Sequence, residues 1–189
     1  RLKLEEVFSS NAIDIVIHFA AYTIVSESEV YPYKYLDNNI NSTMNLVDIM
    51  LRYKVNNLVF SSSASVYGKA VYTPIDEDHP LNPASFYGLS KKISEEIIIN
   101  YKRKGLNYII LRYFNPAGAI DDISENHNPE THLIPILVHS LINNSNFKIY
   151  GDKYPTPDGT CIRDFIHIYD LVNAHILAIQ YLLSNSSVH

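Results

Sequence analysis

Tryptophan is absent from these 189 residues, and there are only one cysteine, two methionines and six glycines. The single cysteine, Cys161, has no partner in the chain for a disulfide, which points to a reducing compartment and a cytoplasmic location. The few glycines never fall in the G-x-x-G-x-x-G spacing that lets a backbone turn approach a dinucleotide pyrophosphate. No signal-peptide pattern opens the chain, and apolar stretches such as IDIVIHFAAY are interrupted and too short to span a bilayer, so no membrane partner is expected. A surplus of basic charge is also missing. The net charge of −5 argues against nucleic acid as a partner, while local arginines and helix N-termini remain able to attract a small anion. The eight histidines are scattered without metal-ligand spacing, so no metal is expected.

The hydrophobic content of 47% and charged content of 19% fit a globular chain, long enough for one domain with a substantial core and short for two. The first residue is Arg, and RLKLEEVFSS reads as the middle of a helix. The sequence is therefore expected to be a piece of a longer chain.

Strand-like and helix-like segments alternate. IDIVIHFAA and NNLVFSSSA are short apolar runs of the kind that are buried on both faces of a parallel sheet. Helical spacing over 41–55 places Met44, Val47 and Leu51 on one face. Prolines fill the stretch 68–83, and a helix over 84–104 ends at Gly105, a C-cap candidate. LNYIILRYF is a third strand, ended by Asn115-Pro116. Beyond a polar loop over 121–130, the pattern gives a short helix over 133–141, a strand FKIYG, a strand RDFIHI and a final helix. This order implies βαβ units, a parallel sheet and ligand binding beyond the carboxyl ends of its strands. Three polar clusters fall at those ends, over 18–23, 61–65 and 115–118. His18 reads as packed or bonded to backbone and Arg112 as a structural ion-pair partner, while Asp76, Glu77 and Asp78 read as a solvated loop.

Within SFYGLSKK, Tyr87 and Lys91 lie four apart on the helix over 84–104 and share a face. A phenol titrating near ~10 is a poor base at neutral pH, but a neighbouring ammonium lowers that value and makes it a proton carrier. With 15 tyrosines in the chain, roughly one Tyr-x-x-x-Lys is expected by chance, so the spacing alone says little. Its context says more. The pair lies on the helix that follows Ser61-Ser62-Ser63, where a strand-end hydroxyl can meet a helix-borne phenol.

VIHFAA, LDNNIN, LVFSSSASVYG, YGLSK, LRYFNPAGA and DGTCIRDFIHIYDL, in this order and over essentially the whole chain, resemble the extended short-chain dehydrogenase/reductase family, and within it the nucleotide-sugar 4-epimerases. The resemblance implies an α/β fold: a Rossmann-like doubly wound parallel sheet lacking its first strands, with part of a smaller C-terminal substrate lobe. Residues 1–118 would be the C-terminal part of an NAD-binding domain, and 119–189 a partial nucleotide-sugar lobe with elements returning to it. It implies NAD as cofactor, a UDP-sugar as substrate, and a homodimer formed through helices over 36–53 and 85–101. The implied reaction is epimerisation at C4 of UDP-glucose and UDP-galactose through a 4-keto intermediate. UDP-N-acetylhexosamine, UDP-xylose or UDP-glucuronate are alternative substrates, and a non-catalytic nucleotide-binding member of the fold is the alternative class.

Carried over by position, Ser63 is the substrate-hydroxyl serine, Tyr87 the acid/base, and Lys91 the lysine that holds the nicotinamide ribose. Phe19, Ala20, Ala21, Thr23, Asn38, Ser61, Tyr113 and Phe114 fall on cofactor positions together with Tyr87 and Lys91. Asn115, His132, Leu133, Lys148, Ile149, Tyr150 and Arg163 fall on substrate positions together with Ser63 and Tyr87. A guanidinium at Arg163 suits a diphosphate. The chain departs from the family at Thr23, where a lysine is usual, at Ala21 for Gly, and at His132 for Asn. Ala64-Ser65 stand where the dehydratase branch carries Asp-Glu, which excludes the eliminations that need that pair. The glycine fingerprint would precede Arg1.

Overall fold

The stretch Asn57–Ser61 is apolar on both faces, and all five residues are buried. It forms the middle strand, β2, of a three-stranded parallel sheet, between β1 (Val16–His18) and β3 (Asn107–Leu111). Leu58 and Phe60 face a core made with Phe8, Leu46, Val47, Ile49, Met50 and Ile98. Val59 points the other way, onto Ala178 and Leu182. A strand clothed on both faces is what a crossover topology requires.

The computed structural model describes residues 1–121, 123, 124, 127 and 130–185, so the loop expected over 121–130 lies in part outside the described residues. The helices are α1 (Leu2–Ser10), α2 (Val25–Val30), α3 (Pro32–Arg52), α4 (Phe86–Tyr101), α5 (Leu133–Ile142) and α6 (Ile168–Asn185). Two short strands, β4 (Asn115–Ala117) and β5 (Phe165–His167), pair in parallel with Asn115 opposite Phe165. The described chain divides into two units. One comprises Arg1–Tyr113 with the residues from His175 on; the other is Phe114–Ala174.

Helix α3 begins at Pro32, nine residues before the helical spacing emerges in the sequence. Proline at a first helical position lacks only an N–H that would have no intrahelical partner there. Tyr, Asn and Asp in the first turns are weak helix formers, and the buried Tyr35, whose hydroxyl donates to Glu27 Oε2 (2.6 Å), holds the start in place. Helix α4 has a conventional entry, since Ser85 Oγ accepts from the Gly88 N–H at 3.0 Å. After a 3₁₀ turn over Lys102–Lys104, Gly105 adopts φ +91° and ends the helix, as its sequence position suggests.

Two local expectations need correction, and one element is unannounced. Phe147–Gly151 makes no ladder pairing among the described residues, so FKIYG is not a strand here. The third strand's ladder stops at Leu111, and Asn115-Pro116 does not merely end it but belongs to β4. Helix α2, with only six residues, carries no periodic signal in the sequence.

Gly88 lies where α4 crosses the Ser65 backbone. A Cβ there would meet the Ser65 carbonyl oxygen at 2.5 Å and the Pro83 Cβ at 3.0 Å. In an open helix Gly→Ala stabilises by about 1 kcal/mol. Here Gly88→Ala is expected to lower the thermal midpoint of the whole protein, because the obstacle is backbone. A raised midpoint in a melting experiment would contradict this close approach.

Candidate active site

Past β2 the chain keeps its sheet pairing for a few residues more. The Ser62 N–H donates to the Leu111 carbonyl (2.9 Å) and the Ala64 N–H to the Tyr113 carbonyl (3.0 Å). This holds Ser63 extended (φ −155°, ψ 146°), with its Oγ accepting from the Ser65 N–H at 3.2 Å. The serine run is therefore anchored on its main chain and leaves hydroxyls for other work.

Helix α4 turns an unusually polar face inward: Tyr87, Ser90, Lys91, Ser94 and Glu95 are all buried. Its first turn is tied to α2, where the Phe86 N–H donates to Glu29 Oε1 (2.9 Å) and the Tyr87 N–H to Ser28 Oγ (3.1 Å). One turn on, Ser90 Oγ donates to the Tyr87 carbonyl (2.7 Å) and accepts from Asn39 Nδ2 (3.0 Å). Asn39 also exchanges hydrogen bonds with the Tyr22 main chain, accepting at 2.9 Å and donating at 3.1 Å. A buried polar face is stable only when satisfied in this way.

Lys91 is 3% exposed. Its ammonium donates to the Ser61 carbonyl at 2.7 Å and lies 5.0 Å from the Phe60 ring centroid. Burial pulls its pKa down to about 8, against the opposing charge of Glu95. The Tyr87 phenol is pushed up by burial, while the nearby Ser63 hydroxyl pulls it back. This differs from the expectation that Lys91 depresses the tyrosine, because the ammonium is directed to the Ser61 carbonyl. His18, which shares a hydrogen bond with Thr43 Oγ1 (3.1 Å), is driven down to about 4 by burial and then by the Lys91 charge. At neutral pH the site thus holds a charged lysine, a protonated tyrosine and a neutral histidine.

Of the other cofactor candidates, Ser61 Oγ and the Tyr113 hydroxyl are hydrogen-bonded to each other. Burial also raises the Tyr113 phenol. Phe19 is exposed beyond β1, its ring 5.0 Å from that of His175, with exposed Ala20 and Thr23 and half-buried Ala21 following. Asn38 is exposed on α3 and donates to Asn39 Oδ1 at 3.1 Å. Ser63, Tyr87, Lys91, Ser61, Tyr113 and the residues after β1 all belong to the first unit.

The remaining candidates belong to the second unit. Phe114 is half-buried. Asn115 Nδ2 donates to the Asp164 carbonyl (2.8 Å), which brings it next to Arg163 in that unit; the Arg163 guanidinium is exposed and donates to the Ile162 carbonyl (3.0 Å). His132 and Leu133 open α5 on the surface. Lys148, Ile149 and Tyr150 are exposed, with the Lys148 ammonium 5.0 Å from the Tyr150 ring centroid.

Nothing in the residue pattern singles out Asn39 or Ser90, whereas Glu95 continues the four-residue spacing of Tyr87 and Lys91. His127, Glu130 and His132, without a recognised ligand spacing, bring ligand-type atoms within 4.8 Å of one another. There Glu130 Oε1 already accepts from the Thr131 and His132 N–H groups, each at 2.8 Å.

The chain is 45% identical over 186 residues to a UDP-glucose 4-epimerase of Lacticaseibacillus casei, covering 95% of this chain and 55% of that relative. It is similar to a crystal structure of UDP-glucose 4-epimerase from Brucella ovis in complex with NAD, with TM-score 0.92 and 42% identity over 97% of this chain and 58% of that one. A UDP-glucose 4-epimerase from Bifidobacterium longum in complex with NAD+ and UDP gives TM-score 0.86 and 38% identity, covering 94% and 55% of the two chains. The chain thus spans about half the length of the curated relatives it matches. The family model for NAD dependent epimerases and dehydratases matches residues 1–187, and the chain belongs to the NAD dependent epimerase/dehydratase family.

Proposed function

We propose that the whole protein is an isomerase that inverts C4 of UDP-hexoses, interconverting UDP-glucose and UDP-galactose with NAD as a retained cofactor. The observation that carries this reading is the buried Lys91 ammonium, fixed on the Ser61 carbonyl one helical turn from a buried Tyr87 beside Ser63. Burying a cation and a phenol costs stability, and groups displaced in this way cluster at functional sites.

The residues fit a dinucleotide. Beyond β1 the exposed Phe19 ring is followed by the small Ala20 and Ala21, beyond β2 there is a cation with donor hydroxyls, and α3 offers Asn38 on its surface. Phe19, Ala20, Ala21, Thr23, Asn38, Ser61, Lys91 and Tyr113, all of the first unit, would hold it, and when bound it supplies the hydride acceptor and donor. Ser63 orients the sugar 4-hydroxyl. Tyr87 takes its proton as the 4-keto sugar forms and returns it when the opposite face is reduced. Because burial raises the phenol, Tyr87 waits as an acid, and a further positive charge at the site is needed to make it a base. Asn115, His132, Leu133, Lys148, Ile149, Tyr150 and Arg163 are the candidates for the UDP moiety, Arg163 for its diphosphate.

A homodimer is part of this proposal. Met44, 44% exposed, lines a shallow apolar groove on α3 and α4 with Ile93, Ile97 and Tyr101, on the helices where the family resemblance places the interface. No helix among the described residues is long and apolar enough to cross a membrane, and the lone exposed Cys161 suits a cytoplasmic location.

Incubation of the whole protein with UDP-galactose is expected to yield UDP-glucose; absence of conversion with NAD bound would favour a binding module. Tyr87→Phe is expected to lower kcat by about 10²-fold or more while NAD stays bound, and near-normal turnover would remove Tyr87 from the mechanism. Lys91 is charged below its pKa of about 8 and neutral above it, so kcat should fall as pH rises through that value; a flat profile through pH ~10, the range of an exposed lysine, would contradict the role of the cation. Ile97→Lys should shift the sedimenting species from dimer to monomer, and an unchanged dimer would place the interface elsewhere.

A further inference from the structure

Helix α4 carries a third buried polar side chain in line with Tyr87 and Lys91. Glu95, four residues beyond Lys91, is 1% exposed. Its carboxylate is held on several sides. Arg112 donates through Nε to both oxygens (3.1 Å each) and through Nη2 to Oε2 at 2.8 Å. Ser62 Oγ donates to Oε1. The other guanidinium nitrogen, Nη1, is directed to the Tyr67 hydroxyl at 3.3 Å. Ser62 lies between Ser61, whose carbonyl receives Lys91, and Ser63. One carboxylate therefore joins α4, the serine strand end and the residue after β3.

We propose that Glu95 is a positioning residue for the Tyr87–Lys91 pair: its anchored carboxylate is the counter-charge that keeps Lys91 an ammonium seated on the Ser61 carbonyl. The inference rests on the epimerase reading above for its catalytic consequence, but not for its physical content. The groups around Lys91 leave no other described acid for this role. His18 on β1 is neutral above pH 4 or so. Tyr87 is protonated, and Tyr113 is bonded to the Ser61 hydroxyl and likewise raised by burial. Thr43 and Phe60 carry no charge. The described acid one turn along α4 from Lys91 is Glu95, which opposes the burial penalty, with the Arg112 guanidinium on its far side as the other charge. Arg112 fixes the carboxylate in place, and Ser62 makes the strand end follow it.

The sign of the effect separates this role from a purely structural one. Loosening the core would hydrate Lys91 and raise its pKa toward that of an exposed lysine. Loss of the counter-charge in an intact core would lower it. The test is an NMR titration of the whole protein carrying ¹⁵N-lysine, with the Lys91 signal assigned by Lys91→Met. Wild type should titrate near 8. In the isosteric Glu95→Gln the midpoint should fall by about one unit or more, and in Glu95→Asp, which withdraws the charge by one methylene, by an intermediate amount. A midpoint that stays or rises in Glu95→Gln overturns the proposal. If Glu95→Gln gives no folded protein, Glu95→Asp decides, a fall supporting the proposal and an unchanged or raised midpoint overturning it. Conversion of UDP-galactose is followed across pH on the same samples, where the alkaline limb should move down with the midpoint. A wild type that converts nothing sinks the epimerase reading, and the midpoint comparison still decides the role of Glu95.

Discussion

The hydrogen bond from Lys91 to the Ser61 carbonyl ties the polar face of α4 to the end of β2. β2 is an apolar strand clothed on both faces, and its last residue offers a carbonyl where the ladder gives way to the serine run. α4 would ordinarily turn apolar residues toward such a strand. It sends Lys91 there instead, while Ser90 bonds to Asn39 of α3 and Ile98 at the far end meets the core. A buried ammonium is costly unless it is bonded and balanced. Once the Ser61 carbonyl and Glu95 supply that balance, the direction of α4, the place of Tyr87 beside Ser63 and the close approach at Gly88 follow.

The electrostatics of the pair are set by dehydration. Taking both groups out of water moves them in opposite directions, the lysine down and the phenol up. This drives the two apart, the lysine now the weaker holder of its proton, and leaves the proton on the phenol at neutral pH. Two groups whose values the environment has displaced in this way form an acid/base assignment. The arrangement also explains why the tyrosine is not a standing base. Exposed phenolate would be quenched by water, whereas a buried phenol responds sharply to a new charge nearby, since fields are screened less there.

The sequence displayed the parts of this design that depend on strong local signals. The apolar runs of β2 and β3, the glycine stop at Gly105 and the shared face of Tyr87 and Lys91 could all be read from residue type and spacing. The parts that escaped depend on distant partners. β4 has three residues with a proline among them and exists because Phe165–His167 lies alongside it. FKIYG has strand composition but no strand beside it among the described residues. The start of α3 is weak in propensity and is held by Tyr35 and Glu27 across the turn from α2. Asn38 and Asn39 look alike in sequence, yet the structure exposes one and buries the other in a network linking Tyr22 to Ser90. Glu95 continues the spacing of Tyr87 and Lys91, but its burial depends on Arg112 and Ser62, which only the fold brings to it.

The claim on which the mechanism turns is that the protein alone keeps Tyr87 protonated and leaves its activation to added positive charge. Phenolate absorbance, titrated in the whole protein stripped of dinucleotide and taken as the difference between wild type and Tyr87→Phe, measures this directly. The expected difference is absent through neutral pH and develops only above the ordinary phenol range near ~10. A Tyr87 phenolate signal appearing near neutrality in the stripped protein would contradict it.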